Sequence, residues 1–247
     1  FRQRDGWLSC HETTQGFAKG SNARFFINTK VNRIELDAKG ICAVETNRGR
    51  IQTRTVVNAA GPFAGEIGNM VDLNLPLEPV RRQKVFLKTA AKVPLGAPFT
   101  VDLENNSYWR PETGGVIVGW VDTDEPVSEP SENVKTDWEF PAIALDKVTR
   151  LNPFFEAVGR ELKQPDITVS GGFYMYTPDD QPLIGPVLEI PGFYLNCGYW
   201  AGVMLSPEAG KWVADLVTGK MDPKQNPLRL SRFEEGVVTK GKTLMSH

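Results

Sequence analysis

Histidine is almost missing from this 247-residue chain, which has only His11 and His247. A histidine-centred triad or metal site is therefore disfavoured, and His11 beside Cys10 reads as incidental. Cysteine is scarce too. Cys10, Cys42 and Cys197 are odd in number, widely spaced and without any C-x-x-C. That argues against a disulfide or zinc framework and fits a reducing, cytoplasmic setting. No apolar run approaches the roughly 18 residues that a membrane span needs. An excess of one charge is lacking as well: 28 Lys and Arg face 30 Asp and Glu, a formal net charge of −2, which leaves no electrostatic footprint for nucleic acid or an anionic membrane. The opening Phe1-Arg-Gln-Arg-Asp-Gly-Trp7 has no initiator Met and no apolar core with a small-residue cleavage site, and reads as a cut end. Nor does G-x-G-x-x-G occur anywhere, so the glycine turn that cradles a dinucleotide pyrophosphate is not expected within these residues.

What is present is an apolar share of 40%, enough for a substantial core in one large domain or two small ones. A short helix is expected over 12–20. Residues 24–37 alternate as a strand does, with Phe26, Val31, Ile34 and Leu36 among polar neighbours. Residues 41–46 and 51–57 are two further strands joined across Asn47-Arg48-Gly49, a hairpin signal. The last strand of this meander runs into Asn58-Ala-Ala-Gly61, with Pro62 at a helix start and Phe63, Ile67 and Met70 on one apolar face. Leu75-Pro-Leu-Glu-Pro79 breaks regularity and marks the crossover to an antiparallel sheet of 80–89, 99–103, 107–110 and 116–120. Residues 123–133, acidic and carrying Pro126 and Pro130, form an exposed loop. Ile143, Leu145, Val148 and Leu151 lie at helical spacing within 138–151, a helix closed by Asn152-Pro153. Strands at 167–176 and 193–197 follow, and Ser206-Pro207 opens a helix to Gly219.

Two segments carry a family resemblance: VVNAAGPFAGEIG from Val56, and GGFYMYTPDDQPLIGPV from Gly171 with NCGYWAGVMLSPEAGKWVADLVTGK from Asn196. Together they resemble the second half of the FAD-dependent amine and amino-acid oxidoreductases, the family of sarcosine oxidase, glycine oxidase, D-amino-acid oxidase and dimethylglycine dehydrogenase. The likeness runs from Trp7 to Gly236. It implies an α+β fold, a partial FAD-binding α/β remnant packed with an antiparallel-sheet substrate domain. The implied domains are 1–76 with 166–236 for the remnant, 77–165 for the substrate sheet and 237–247 as a tail. It also implies FAD as cofactor and oxidation of the C–N bond of a secondary amine or amino acid by hydride transfer to flavin. Because that family opens with a strand, G-x-G-x-x-G and a helix, the chain reads as a truncated enzyme that binds FAD weakly or not at all alone. The alternative is a non-catalytic binding or partner subunit, with an oligomer or another chain supplying the dinucleotide-binding half.

Carried over residue by residue, the resemblance puts Val31 at a backbone contact to the adenine, where a buried strand valine is the plainer role. Ala59, Ala60 and Gly61 would let ribose and pyrophosphate approach the backbone, and Phe63 would flank the flavin; a tight turn that needs small residues for packing has the same sequence. Reduced flavin is anionic at its N1–O2 edge, and helix N–H groups placed there stabilise it. Gly202, Val203, Met204 and Leu205 take that role, against a plain Gly-rich turn before a Ser-capped helix. Substrate contacts fall to Tyr108, Arg110, Tyr174, Tyr176 and Trp200. An arginine in an apolar pocket clamps a carboxylate bidentately, the alternative being a pair with Glu112; aromatics serve sheet packing equally well. No catalytic side chain and no metal ligand is expected, since the cofactor carries the chemistry.

The departures narrow the substrate less than they widen it. Tyr174 stands where monomeric sarcosine oxidases carry a flavin-linking Cys and glycine-oxidase-like members an Arg, and Met204 where the former carry a carboxylate-binding Lys. Ile117, within Gly115-Val-Ile-Val-Gly119, replaces the lysine of their Gly-x-Lys-x-Gly strand. That substitution points to a dehydrogenase rather than a fast oxidase.

Overall fold

The computed structural model describes residues 6–89, 93 and 96–237, which form two compact units. One comprises 18–79 with 174–237; the other comprises 80–173 with the segment that ends at Phe17.

Ser9 Oγ accepts the Glu12 N–H at 3.2 Å, so α1 (Cys10–Gly20) begins at a Ser-x-x-Glu cap, earlier than its apolar pattern suggests. Residues 24–30 are irregular rather than strand. Asn28 takes φ 54, the Lys30 N–H donates to Asn47 Oδ1 at 3.0 Å, and Phe26 is 62% exposed. The alternation becomes a strand only at β1 (Val31–Asp37), which pairs with β2 (Gly40–Thr46), itself paired with β3 (Gly49–Gln52) in an antiparallel meander with Thr46 opposite Gly49. The single run expected over 51–57 is two strands. Thr53 Oγ1 donates to Thr55 O at 2.9 Å and accepts the Thr55 N–H at 3.1 Å, which turns the chain and sends β4 (Val56–Asn58) into a different sheet. A 3₁₀ turn at Gly61–Phe63, with Pro62 in its first positions, leads into α2 (Ala64–Asn69), whose Ile67 packs on the core.

The second unit holds a five-stranded sheet of β5 (Glu78–Lys88), β6 (Thr100–Asp102), β7 (Ser107–Glu112), β8 (Gly115–Trp120) and β9 (Ile167–Tyr176), in the order β6-β7-β8-β5-β9. One face buries Val85, Leu87, Trp109, Val116 and Val118 against Phe140, Ala144 and Val148 of α3 (Phe140–Leu151) and Phe155 and Val158 of α4 (Phe154–Glu161). Trp109 and Phe155 meet edge to face, 5.3 Å between centroids. Helix α4 is not anticipated by the sequence reading, because Asn152-Pro153 ends one helix and starts another: Asn152 Oδ1 accepts the Phe154 N–H at 3.0 Å. The opposite face of the sheet presents alternate residues, as antiparallel pairing allows.

Strand β9 continues past Phe173 into the first unit. There β10 (Leu183–Pro186), masked in the sequence by its Gly-Pro ending, pairs antiparallel with β11 (Phe193–Cys197), and β11 pairs parallel with β4. One side of this sheet packs Leu183, Phe193, Leu195 and Cys197 with Ile34, Ile41, Ala64 and Leu75; on the other, Ile184 meets Ala209, Val213 and Leu216 of α5 (Gly202–Val217). This parallel remnant, set beside antiparallel sheets and helices, makes the fold α+β. Helix α5 begins at Gly202, not Ser206, and Pro207 lies inside it. The carbonyl deprived of a partner by Pro207 is that of Val203, and Ser206 Oγ donates to it at 2.9 Å. Among the described residues, no helix is long and apolar enough to cross a membrane and no cluster of His, Cys, Asp or Glu could hold a metal ion. The tail expected from residue 237 lies outside the described residues beyond Val237 itself.

Candidate functional site

The entry to α5 is built by contacts just ahead of it. Gly198 takes φ +78, and a Cβ there would sit 2.9 Å from Thr177 Cγ2, so only glycine lets the backbone lie against that threonine. The Met175 N–H donates to Tyr199 O at 3.2 Å, and Trp200 Nε1 donates to Asp180 O at 3.2 Å. Burial pushes the Tyr199 phenol above its ordinary value, keeping it a neutral donor to Asn196 Oδ1. Ala201 then caps α5 with no side-chain hydrogen bond. The first-turn N–H groups of Gly202, Val203 and Met204 have no intrahelical acceptor and carry the positive end of the helix dipole, while the Leu205 N–H closes the first turn on the Ala201 carbonyl. Around them Val203, Met204 and Leu205 are 38%, 73% and 41% exposed. Free donors ringed by accessible apolar side chains suit a flat heterocycle with an electron-rich edge. Residues 202–205 thus form the helix's first turn itself, where the sequence reading had a loop ahead of it.

The Asn58-Ala-Ala-Gly61 turn is held from inside. Buried Asn58 donates from Nδ2 to Ala64 O at 2.8 Å and accepts the Ala60 N–H on Oδ1 at 3.3 Å. Gly61 takes φ +54, yet a Cβ on it would meet nothing within 4 Å. Glycine is therefore required there by the backbone and not by crowding, and the turn is approachable at that point. Ala59 is exposed, while Ala60 and Phe63 are half-buried. Val31 packs partly buried on the core, opposite Thr46.

On the sheet of the other unit, register sets Arg110 opposite Ile117 and Ile117 opposite Phe86, with Tyr108 opposite Gly119 and Gly119 opposite Lys84. These six share the face turned from α3 and α4. A Cβ on Gly119 would come 2.2 Å from Tyr108 Cζ, so Gly119 seats that ring. Lys84 is a cation on this face that sequence reading missed, since only register places it there. Arg110 is already engaged: it pairs with Glu112 at 2.8 Å, donates to Pro111 O at 3.1 Å, and lies 4.4 Å from the Trp7 ring centroid. The Thr113 N–H, and then Arg110 against the opposing effect of burial, hold the Glu112 carboxyl below its usual value. The pairing alternative is what the structure shows for Arg110. Tyr174 is 37% exposed, Tyr176 is buried, and Trp200 is half-buried; these three belong to the unit of α5, and Tyr108 and Arg110 to the other. Cys197 is buried in the core, and burial pushes its thiol up to about 12, which removes it as a nucleophile.

A family model described as FAD dependent oxidoreductase matches residues 1–216. The chain belongs to the FAD-dependent oxidoreductases. It is 26% identical to mitochondrial dimethylglycine dehydrogenase of Homo sapiens over 98% of this chain and 30% of that protein, and 29% identical to D-amino acid dehydrogenase of Neisseria gonorrhoeae (strain NCCP11945) over 86% and 48%. Among solved structures it is similar to L-proline dehydrogenase from P. horikoshii, with TM-score 0.77 and 25% identity over 92% of this chain and 60% of that one. Glycine oxidase from Geobacillus kaustophilus gives TM-score 0.70 and 26% identity over 85% and 54%. This FAD-dependent oxidoreductase chain therefore spans half or less of the length of the curated relatives named here. FAD is the cofactor expected for the family, and the uncapped α5 entry and the approachable Gly61 turn fit it.

Proposed function

We propose that this chain forms the flavin-flanking and substrate-facing part of an enzyme that oxidises the C–N bond of a secondary amine or amino acid. The observation that carries the reading is the α5 entry, where uncapped N–H donors and exposed Val203, Met204 and Leu205 coincide. FAD, when bound, supplies the two-electron acceptor that takes a hydride from the carbon next to the substrate nitrogen, and water then hydrolyses the imine. The N–H groups of Gly202, Val203 and Met204 would hold positive potential toward the flavin edge where negative charge gathers, and the apolar side chains of 203–205 would exclude water. The test is titration of FAD into the purified chain, followed by visible absorption. Binding is expected to be weak, because a phosphate-cradling turn contributes several charge-assisted hydrogen bonds of roughly 1.5 to 3 kcal/mol each. A yellow monomer with stoichiometric FAD would overturn the weak-binding expectation. No perturbation of the flavin spectrum, even with a G-x-G-x-x-G-bearing polypeptide supplied, would overturn the flavin assignment.

A second reading, a partner subunit whose dinucleotide-binding half lies on another chain, is favoured by β4. Among the described residues it is a 3-residue edge strand with a parallel neighbour and an exposed Val57, whereas parallel strands ordinarily lie inside covered sheets. Sedimentation of the chain with and without its neighbouring gene product separates the two readings.

A further inference from the structure

Asp179 and Arg232 are 53 residues apart in sequence and 2% and 1% exposed. Arg232 Nε donates to Asp179 Oδ2 and Nη2 to Oδ1, each at 2.8 Å. The remaining guanidinium N–H groups reach Gln181 O at 2.9 Å, Leu228 O at 3.0 Å and Arg229 O at 3.1 Å, so every donor is used. Asp179 Oδ1 also accepts from Thr177 Oγ1 at 3.1 Å and from the Gln181 N–H at 3.2 Å. Burial alone would raise this carboxyl, but Arg232 and the other donors bring it below its usual value, so it stays ionised.

The same tight turn touches the α5 entry twice. Its Thr177 methyl lies against the backbone of Gly198, and its Asp180 carbonyl receives the indole N–H of Trp200. Asp180 holds φ +58 to aim that carbonyl. Trp200 and Ala201 immediately precede the first-turn N–H groups of α5. An ionic pair is an expensive way to staple a surface turn, since apolar residues of similar size commonly stabilise as well. Its advantage is directional: a bidentate fork allows one orientation of the turn where an apolar contact allows several.

We propose that Asp179 and Arg232 are a positioning pair that sets the orientation of the α5 entry through the Thr177–Asp180 turn and Trp200, and thereby the direction of the N–H groups offered to the flavin. The flavin half of the proposal rests on the function proposed above; the positioning half does not. Neither residue need touch cofactor or substrate.

The experiment follows the Trp200 indole N–H by ¹⁵N–¹H NMR in the full chain, with W200F identifying its peak, alongside hydrogen exchange of residues 177–183 and 198–205. In R232M and D179N the Trp200 peak should move and its exchange, with that of both segments, should rise about tenfold or more, while β7 and β8 keep wild-type exchange. R232K, which keeps the charge but not the fork, should fall between. R229M, which breaks the neighbouring Arg229–Glu235 pair, should leave the Trp200 peak in place. An unmoved Trp200 peak in R232M overturns the positioning role, whatever the general loss of stability does to exchange in β1, β2 and β11. Added FAD tests the second half: a spectral perturbation seen with wild type and reduced in R232M supports it, and equal perturbation overturns it. A wild-type chain that leaves FAD unperturbed even with a G-x-G-x-x-G-bearing polypeptide supplied overturns the flavin assignment, while the indole readout still decides the positioning pair.

Discussion

Each unit has an irregular segment fastened by an arginine, and the two arginines differ in how far water reaches their partners. At the rim of the five-stranded sheet, Arg81 grips Glu125 at 2.6 Å and Asp137 at 2.6 Å, fastening the acidic loop and the lead-in to α3; Asp137 remains 52% exposed. Hydrogen bonds donated to Asp137 and Glu125 raise the Arg81 pKa above an already high value, so it is always charged. In the other unit Arg232 and Asp179 do the same work with almost no solvent contact. Water and salt can replace a partner lost at the rim, while nothing replaces one lost inside. A rim pair therefore stabilises a loop, and a buried pair also dictates where its turn points.

The largest expected effect is at the buried anchor. Arg232→Met should lower unfolding free energy by about 3 to 5 kcal/mol, because Asp179 is left charged and unpaired in the interior. Urea unfolding measures it, and a loss under about 1 kcal/mol, the size of a surface pair, would erase the contrast between the units. Next comes a change of chemistry without one of stability. Ile117→Lys puts a fixed charge on the face carrying Tyr108, and should speed reoxidation of bound, reduced flavin by oxygen on the order of a hundredfold while the melting transition stays put. Stopped-flow reoxidation of the reconstituted enzyme reads it; an unchanged rate would remove Ile117 from the account of acceptor choice.

Arg81→Met should cost about 1 to 2 kcal/mol, and that loss should shrink in 1 M salt, which brings the screening length to about 3 Å, whereas the Arg232→Met loss should persist. Equal salt sensitivity would mean both pairs are solvated alike. The smallest effect concerns acid. Since the Asp179 carboxyl is depressed in the folded chain, the unfolded chain binds its proton first as pH falls through about 3.9, so the contribution is complete above that value and is lost below it. The stability gap between wild type and Asp179→Asn should thus narrow from about pH 6 to about pH 3, as measured by denaturant midpoints. A gap that widens on acidification would reverse the sign of the argument.

Local signals in the sequence were readable where one residue decides one bond. Pro62 marked the start of the turn into α2, Asn47-Arg48-Gly49 marked the β2–β3 hairpin, and Ile143, Leu145, Val148 and Leu151 marked α3. Reading failed where two local preferences compete. Thr53 and Thr55 are good strand residues, yet their mutual hydrogen bonds split the run at β4. Pro207 favours a first turn, yet Ser206 serves the carbonyl that Pro207 leaves, and α5 extends back to Gly202. Of the candidate site, the glycine-rich entry and the Asn-Ala-Ala-Gly turn were visible as motifs, while the engagement of Arg110 by Glu112 stood only as an alternative.

The sequence by itself determined the strands of the five-stranded sheet, the family likeness, and the positions where glycine is needed, because those depend on neighbours within a few residues. Only the tertiary structure decided that β4 lies parallel beside β11, that Lys84 and Tyr108 share a sheet face across Gly119, and that Arg232 closes on Asp179. The physical reason is distance along the chain. Register and ion pairing across tens of residues are chosen by which apolar faces bury together, and a charged side chain gives no local sign of the partner that burial will bring to it.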